Sequence, residues 1–238
     1  MSLTISSSGG GGDFPKLEPG IYQGTCYSII DLGESDQEYK GVVSKKKRVH
    51  LGFEITEAID PSTNTVMMED GRPFGAFKTY TASLFEAATL RKDIESWRGK
   101  SLTEEEIDSF DMDNLIGCTA KIEIGLTKKS DFGEGGNPKI MALREPKDGI
   151  KKVETHNDIV LFDIDVYCAE FTGNSSEETK AMCDVFESLN DWHKRDIEAS
   201  YQWMAAQQKF EDTPVEKLVE ETVEETENTD DFDDKIPF

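Results

Sequence analysis

The side chains best suited to chemistry in this chain are cations. Lys45-Lys46-Lys47-Arg48 form an unbroken run, and shorter clusters follow at Arg91-Lys92, Lys128-Lys129 and Lys151-Lys152. Such groups raise a local positive field that attracts phosphates. Aromatic residues lie close to them: Tyr39 ahead of the run, Phe53 after it, Phe77 and Tyr80 on either side of Lys78, and Phe132 in the glycine-rich stretch 130–138. An aromatic face beside a cation can stack a planar ring while the cation holds the attached phosphate. Catalytic groupings are missing from the pattern. His50, His156 and His193 are scattered, and Cys26, Cys118, Cys168 and Cys183 form no C-x-x-C pair. Neither set offers the spacing of a zinc site. The segment 133–136 lacks the Lys-Ser/Thr of a phosphate loop. Asp163-x-Asp165 offers paired carboxylates for Mg²⁺. On an alternating strand both point to one face, where exposed polar positions explain them equally well. The expectation is a non-enzymatic protein without metal or cofactor.

Charge distribution sharpens that expectation. The 238 residues carry a net charge of −23, which argues at first against a polyanionic ligand. Residues 40–152, however, hold 19 acids and 19 bases. Residues 153–238 hold 24 acids and 6 bases, so most of the excess lies in the C-terminal third. Overall charge sets solubility and long-range repulsion, whereas binding follows the local field. No apolar run reaches the roughly 18–20 residues that span a bilayer. The first residues carry no basic and apolar segments of a secretory signal. Cysteines this far apart, with no C-x-x-C pair, suit a reducing cytosol.

The elements that must position these groups follow from periodicity. Residues 1–16 are rich in Ser and Gly and predict a disordered N-terminus. Period-two alternation predicts strands at 20–30, 49–55, 74–81, 117–126, 139–144 and 158–171. Between the first two, 31–48 reads as a long polar loop that ends in the basic run. Helical spacing over 84–98 stops at Gly99, and Ser101-Leu-Thr-Glu-Glu-Glu resembles a helix start. Five or six antiparallel strands with a helix between the third and fourth match small barrels of the oligonucleotide-binding type. The predicted fold is therefore mainly β, with that barrel over 17–172. From Ser175 an apolar stripe (Met182, Val185, Phe186, Leu189, Trp192, Ile197, Tyr201, Met204) predicts one long amphipathic helix over 173–210, about 50 Å long if unbroken. A homo-oligomer built on that stripe is one way to bury it. Residues 211–238 carry 12 acids against two lysines, the composition of a disordered acidic linker over 211–230.

The chain then ends Asp230-Asp231-Phe232-Asp233-Asp234-Lys235-Ile236-Pro237-Phe238. A solvated tail has no need of an apolar finish. Ile236 and Phe238 can enter an apolar pocket while the terminal carboxylate meets a cation, and Pro237 limits the entropy lost on docking. This ending resembles the C-terminal tip of bacterial single-stranded DNA-binding proteins. The match covers Asp231 to Asp234 and Ile236 to Phe238, with Lys235 where the family usually has an aspartate. The resemblance implies recruitment of replication, recombination and repair proteins through those seven residues. The rest of the layout, including the insertion over 90–107, looks more like bacteriophage-encoded replication proteins.

Together these readings predict sequence-independent binding of single-stranded DNA, with no membrane association. The expected contacts are Tyr39, Lys45, Lys46, Lys47, Arg48, Phe53, Phe77, Lys78, Tyr80, Lys128, Lys129 and Phe132. A strand aromatic fills a core as readily as it stacks a base, so Phe53, Phe77 and Tyr80 stay open between the two roles. The alternative function is an acidic adaptor or DNA mimic that binds host replication proteins and never touches DNA. A metal-dependent nuclease is a third class.

Overall fold

The computed structural model describes residues 16–59, 71–128 and 136–211. A six-stranded, mainly antiparallel sheet is its main feature. Strands β1 (Gly20–Tyr39), β2 (Val42–Ala58), β3 (Gly75–Thr81), β4 (Thr119–Leu126) and β5 (Pro138–Arg144) lie in the order β3-β2-β1-β4-β5. The short β6 (Val160–Phe162) pairs with β1 off that path. Among the described residues no ladder closes the sheet. β3 and β5, at its two ends, nonetheless approach each other, and α1 (Thr89–Arg98) packs against both.

Local chemistry explains these elements. Leu90, Ile94 and Trp97 are the buried face of α1, and Gly99 ends the helix in the left-handed conformation that glycine tolerates best. The next helix, α2 (Glu104–Asp108), starts with a capping box between Thr103 and Glu106. Within the expected helix start at 101–106, the cap is Thr103. Alternation along β2 and β4 turns Leu51, Phe53, Ile55, Ala120, Ile122 and Ile124 into one core, which Trp97 joins through an edge-on contact with Phe53 at 5.3 Å. The Trp97 indole N–H donates to the Thr119 carbonyl at 2.7 Å. Burying both a large apolar ring and its one donor makes Trp97 the anchor of α1 on this core.

The described chain falls into two compact units. One holds the described residues within 16–30 and 48–161; the other holds those within 31–47 and 162–211. The division departs from the single barrel domain expected over 17–172. The predicted loop over 31–48 is a β-hairpin in which β1 and β2 run on to a tight turn. Lys40 and Gly41 both have positive φ, 53° and 78°, as two-residue hairpin turns with the matching twist require.

The second unit corrects two further expectations. The strand predicted over 158–171 ends at Phe162, because Asp163 caps α3 (Ile164–Glu170) by accepting from the Asp165 and Val166 N–H groups. The single long helix is instead three: α4 (Glu177–Ser188), α5 (Asp191–Glu198) and α6 (Tyr201–Glu211). Asn190 caps α5 through the His193 N–H, and the Ser200 hydroxyl accepts from the Trp203 N–H at the start of α6. Each cap offers the backbone an alternative to continuing the helix. Shorter helices can fold back, so the apolar stripe closes on itself. Tyr167 stacks between Phe186 and Trp203, with centroids 4.6 and 5.2 Å away. No helix among the described residues is long and apolar enough to cross a membrane.

Candidate nucleic-acid interface

Register fixes the chemistry of the β2–β3 pair. Val49, Leu51 and Phe53 stand opposite Tyr80, Lys78 and Ala76, on the side of the core. His50, Gly52 and Glu54 stand opposite Thr79, Phe77 and Gly75 on the outer side. Phe77 is 46% exposed there. A Cβ on Gly52 would come within 3.0 Å of the Phe77 ring, and one on Gly75 within 2.7 Å. Two missing side chains therefore form the trough in which the ring lies down on the sheet. The His50 ring lies nearly parallel to it, at 14° and 5.6 Å, and Tyr27 of β1 meets it edge-on at 6.4 Å.

Hydrogen bonds hold the surroundings of this ring. His50 Nδ1 and Thr79 Oγ1 are 2.8 Å apart. The buried Glu54 carboxylate accepts from the His156 N–H and from the backbone and side-chain N–H groups of Asn157, at 2.9–3.0 Å. That bundle pins the segment at 156–157 against the end of β2. Burial, with the Glu54 charge beside it, pushes the Tyr27 hydroxyl above its ordinary range, so Tyr27 is a neutral aromatic at any physiological pH.

The structure separates the remaining expected contacts. Phe53 is fully buried against Trp97, and Tyr80 is 3% exposed with its hydroxyl donating to Asp93 at 2.9 Å. Neither ring offers a face for stacking; both are core residues. Lys78 points to their side of β3 and is paired with Asp93 at 2.6 Å, away from Phe77. In the other unit, Lys47 is bound by Asp31 at 2.7 Å and lies 3.6 Å from Asp165. Lys45 sits 4.1 Å from the centre of the Tyr201 ring. Lys46 and Arg48 are partly exposed, and Lys128 is exposed beyond the end of β4. The Tyr39 side chain, Lys129, Phe132 and the tip residues Asp231, Phe232, Asp233, Asp234, Ile236, Pro237 and Phe238 lie outside the described residues.

One acidic cluster has the donor set of a cation site. Carboxylate oxygens of Asp31, Asp163 and Asp165 lie within 4.8 Å of one another. The Lys47 ammonium already supplies a positive charge to two of them. Burial holds the Asp31 carboxyl above its ordinary range, and Lys47 opposes that effect. Asp163 is engaged as the cap of α3, not as an outward strand residue. Elsewhere, an open cleft of roughly 360 Å³ lies beside Trp97, Phe110, Leu115 and Ile150; its Arg98 and Glu106 pair with each other.

Comparison with family models, with curated proteins and with solved structures finds no match to this chain. The geometry therefore carries the functional argument alone. Sequence reasoning left Phe77 open between core and stacking face and did not single out Tyr27, His50, Gly52 and Gly75 around it. The signal was present as His50-Leu-Gly52-Phe-Glu54 and Gly75-Ala-Phe77-Lys-Thr79, two alternating stretches whose outer positions pair small residues with rings. It becomes readable only once the register is known.

Proposed function

We propose that this chain binds single-stranded DNA through the outer face of β2 and β3, and that its first unit is an oligonucleotide-binding fold. The strand order β3-β2-β1-β4-β5, the helix between β3 and β4, and the incomplete closure support that fold. It is a partly open five-stranded barrel whose second and third strands face the ligand. The observation that carries the function is Phe77: a half-exposed ring laid flat over two glycines, with His50 and Tyr27 extending the aromatic surface. A ring in the plane of the sheet costs little conformational freedom when a base settles on it. Stacking of this kind contributes about 1–3 kcal/mol per base and tolerates any sequence. The C-terminal tip, by its resemblance to bacterial single-stranded DNA-binding proteins, recruits replication, recombination and repair proteins.

Fluorescence anisotropy of a labelled poly-dT oligonucleotide, beside a duplex control and at several salt concentrations, tests the reading. Preferential binding of dT that weakens with salt and is reduced about 5- to 150-fold by Phe77→Ala is the expected result, the range equivalent to one lost stack. Absence of binding at low salt overturns it in favour of an acidic adaptor that captures proteins through its tip. Loss of the oligonucleotide only when Mg²⁺ is present identifies a nuclease.

A further inference from the structure

A second surface on the same unit has the charge that Phe77 lacks. The outer side of β4 presents Lys121, Glu123 and Gly125, which alternate with the buried Ala120, Ile122 and Ile124. Across the ladder, Arg144 stands directly opposite Lys121, and Lys139 opposite Gly125. Like charges directly opposite one another weaken a strand pair. Here the one acid among them, Glu123, compensates only Arg144, at 3.0 Å. A chain with 49 acids and 26 bases thus keeps three cations against one acid on a single strip of sheet.

The strip also carries a shaped apolar group. The register passes from Glu123–Ala142 to Ile124–Ile140, so Met141 is an extra residue without a partner, a β-bulge. The bulge lets Ile140 and Leu143, three residues apart, both face the core. It also turns Met141 outward, 50% exposed. A Cβ on Gly125 would lie 2.8 Å from Met141 Cγ, so this side chain lies across a glycine as Phe77 does. The polarisable thioether is suited to contact with an aromatic ring edge.

We propose that the β4–β5 strip is a second contact site for the same single strand, in which Lys121 and Lys139 hold phosphates, Arg144 keeps its pairing with Glu123, and Met141 meets a base. The assignment rests on the single-strand reading above and extends it: β2–β3 supplies stacking, and β4–β5 supplies most of the counter-charge. The occupant the strip favours is a strand of alternating phosphates and bases, which matches cations flanking one polarisable side chain.

The test compares Lys121→Gln/Lys139→Gln, Met141→Ala and Phe77→Ala in the full chain, with Lys92→Gln/Lys180→Gln as a control of equal charge change at exposed helix positions. Circular dichroism confirms that each variant is folded. Each phosphate contact contributes about 0.7 to the slope of log K against log salt on single strands. The Lys121/Lys139 variant should lower that slope by about 1.4 and weaken dT binding on the order of tenfold at 0.1 M salt. Phe77→Ala should weaken binding and leave the slope intact; Met141→Ala should do the same to a smaller degree. An unchanged slope in the Lys121/Lys139 variant, with Phe77→Ala still weakening binding, overturns the strip and spares the aromatic face. An equal loss in the Lys92/Lys180 control overturns it too, as a general charge effect. No binding by the unaltered chain overturns both readings together.

Discussion

The basic run Lys45–Arg48 and the β4–β5 strip make opposite use of the same residue types. The run is contiguous in sequence and sits on a hairpin whose other strand carries Asp31, Glu34, Asp36 and Glu38. Lys47 is consumed by Asp31 and Asp165, and Lys45 rests on Tyr201. The strip has no two adjacent cations: Lys121, Lys139 and Arg144 span 24 positions. Antiparallel pairing gathers them opposite a single acid. A cluster along the chain is therefore not a field in space. What matters is what the folded chain brings beside each cation: two aspartates for Lys47 and an aromatic ring for Lys45. The aromatic residues follow the same rule. Phe53, Phe77 and Tyr80 look equivalent as strand residues, yet register sends two into the core and one out.

The largest effect separates the aromatics. Phe53→Ala should destabilise the first unit by about 3–5 kcal/mol, the cost of emptying a filled site against Trp97. Phe77→Ala should change stability by well under 1 kcal/mol, because the ring is half exposed. Urea unfolding checks the contrast; similar losses for the two would remove the distinction between core and face. Next, Gly75→Ala places a methyl where the Phe77 ring now lies and must lift the ring off the sheet. It should weaken dT binding several-fold, and in a Phe77→Ala background it should do nothing further. A loss of equal size in both backgrounds would make Gly75 a folding residue instead of a support for the ring.

Much of the sheet was legible from alternation alone, since Val49-His-Leu-Gly-Phe-Glu-Ile and Thr119-Ala-Lys-Ile-Glu-Ile hold apolar residues to one face. Gly99 and the stretch Ser101-Leu-Thr-Glu-Glu-Glu marked helix limits because a left-handed C-terminus and an N-cap each favour particular residues, though only the structure assigns the cap to Thr103. The hairpin over 31–48 was hidden by its charge: residues that pair across two strands read as a solvated loop when each strand is taken singly. The break of the C-terminal helix was visible as Asn190 and Ser200, but a continuous apolar stripe outweighed two capping side chains in the reading. Asp163-x-Asp165 misled for a related reason, since the same Asp that alternates in a strand also caps a helix. The site was least legible, for Gly52 and Gly75 acquire meaning only from the ring that covers them.

The hairpin itself supplies the next test of the opening contrast. Lys47→Gln leaves the mostly buried Asp31 carboxylate without its cation and should cost about 1 kcal/mol of stability. It should leave the salt slope of dT binding unchanged, because a cation already spent on two carboxylates releases no counterion from DNA. A slope reduced as in the Lys121/Lys139 variant would return the basic run to the interface.

The smallest expected effect lies in the second unit, at a buried histidine. His193 on α5 is buried, and burial lowers its pKa from the ordinary value near 6.5, with Asp196 acting in the opposite direction. The folded unit therefore holds the neutral imidazole, while the unfolded chain takes up a proton as pH falls below about 6.5. Protons bind more readily to the unfolded state, so stability is full above that pH and declines below it. His193→Gln should flatten this part of the stability profile of the second unit, as followed by Trp203 fluorescence during urea unfolding at pH 5 to 8. If the wild-type and variant profiles run parallel through that range, His193 is not the group that titrates. The same pH step should leave the charge of Lys121, Lys139 and Arg144 untouched, so the salt slope of DNA binding stays constant while the helical unit weakens. A field made by lysine and arginine persists where a core built around a neutral histidine does not.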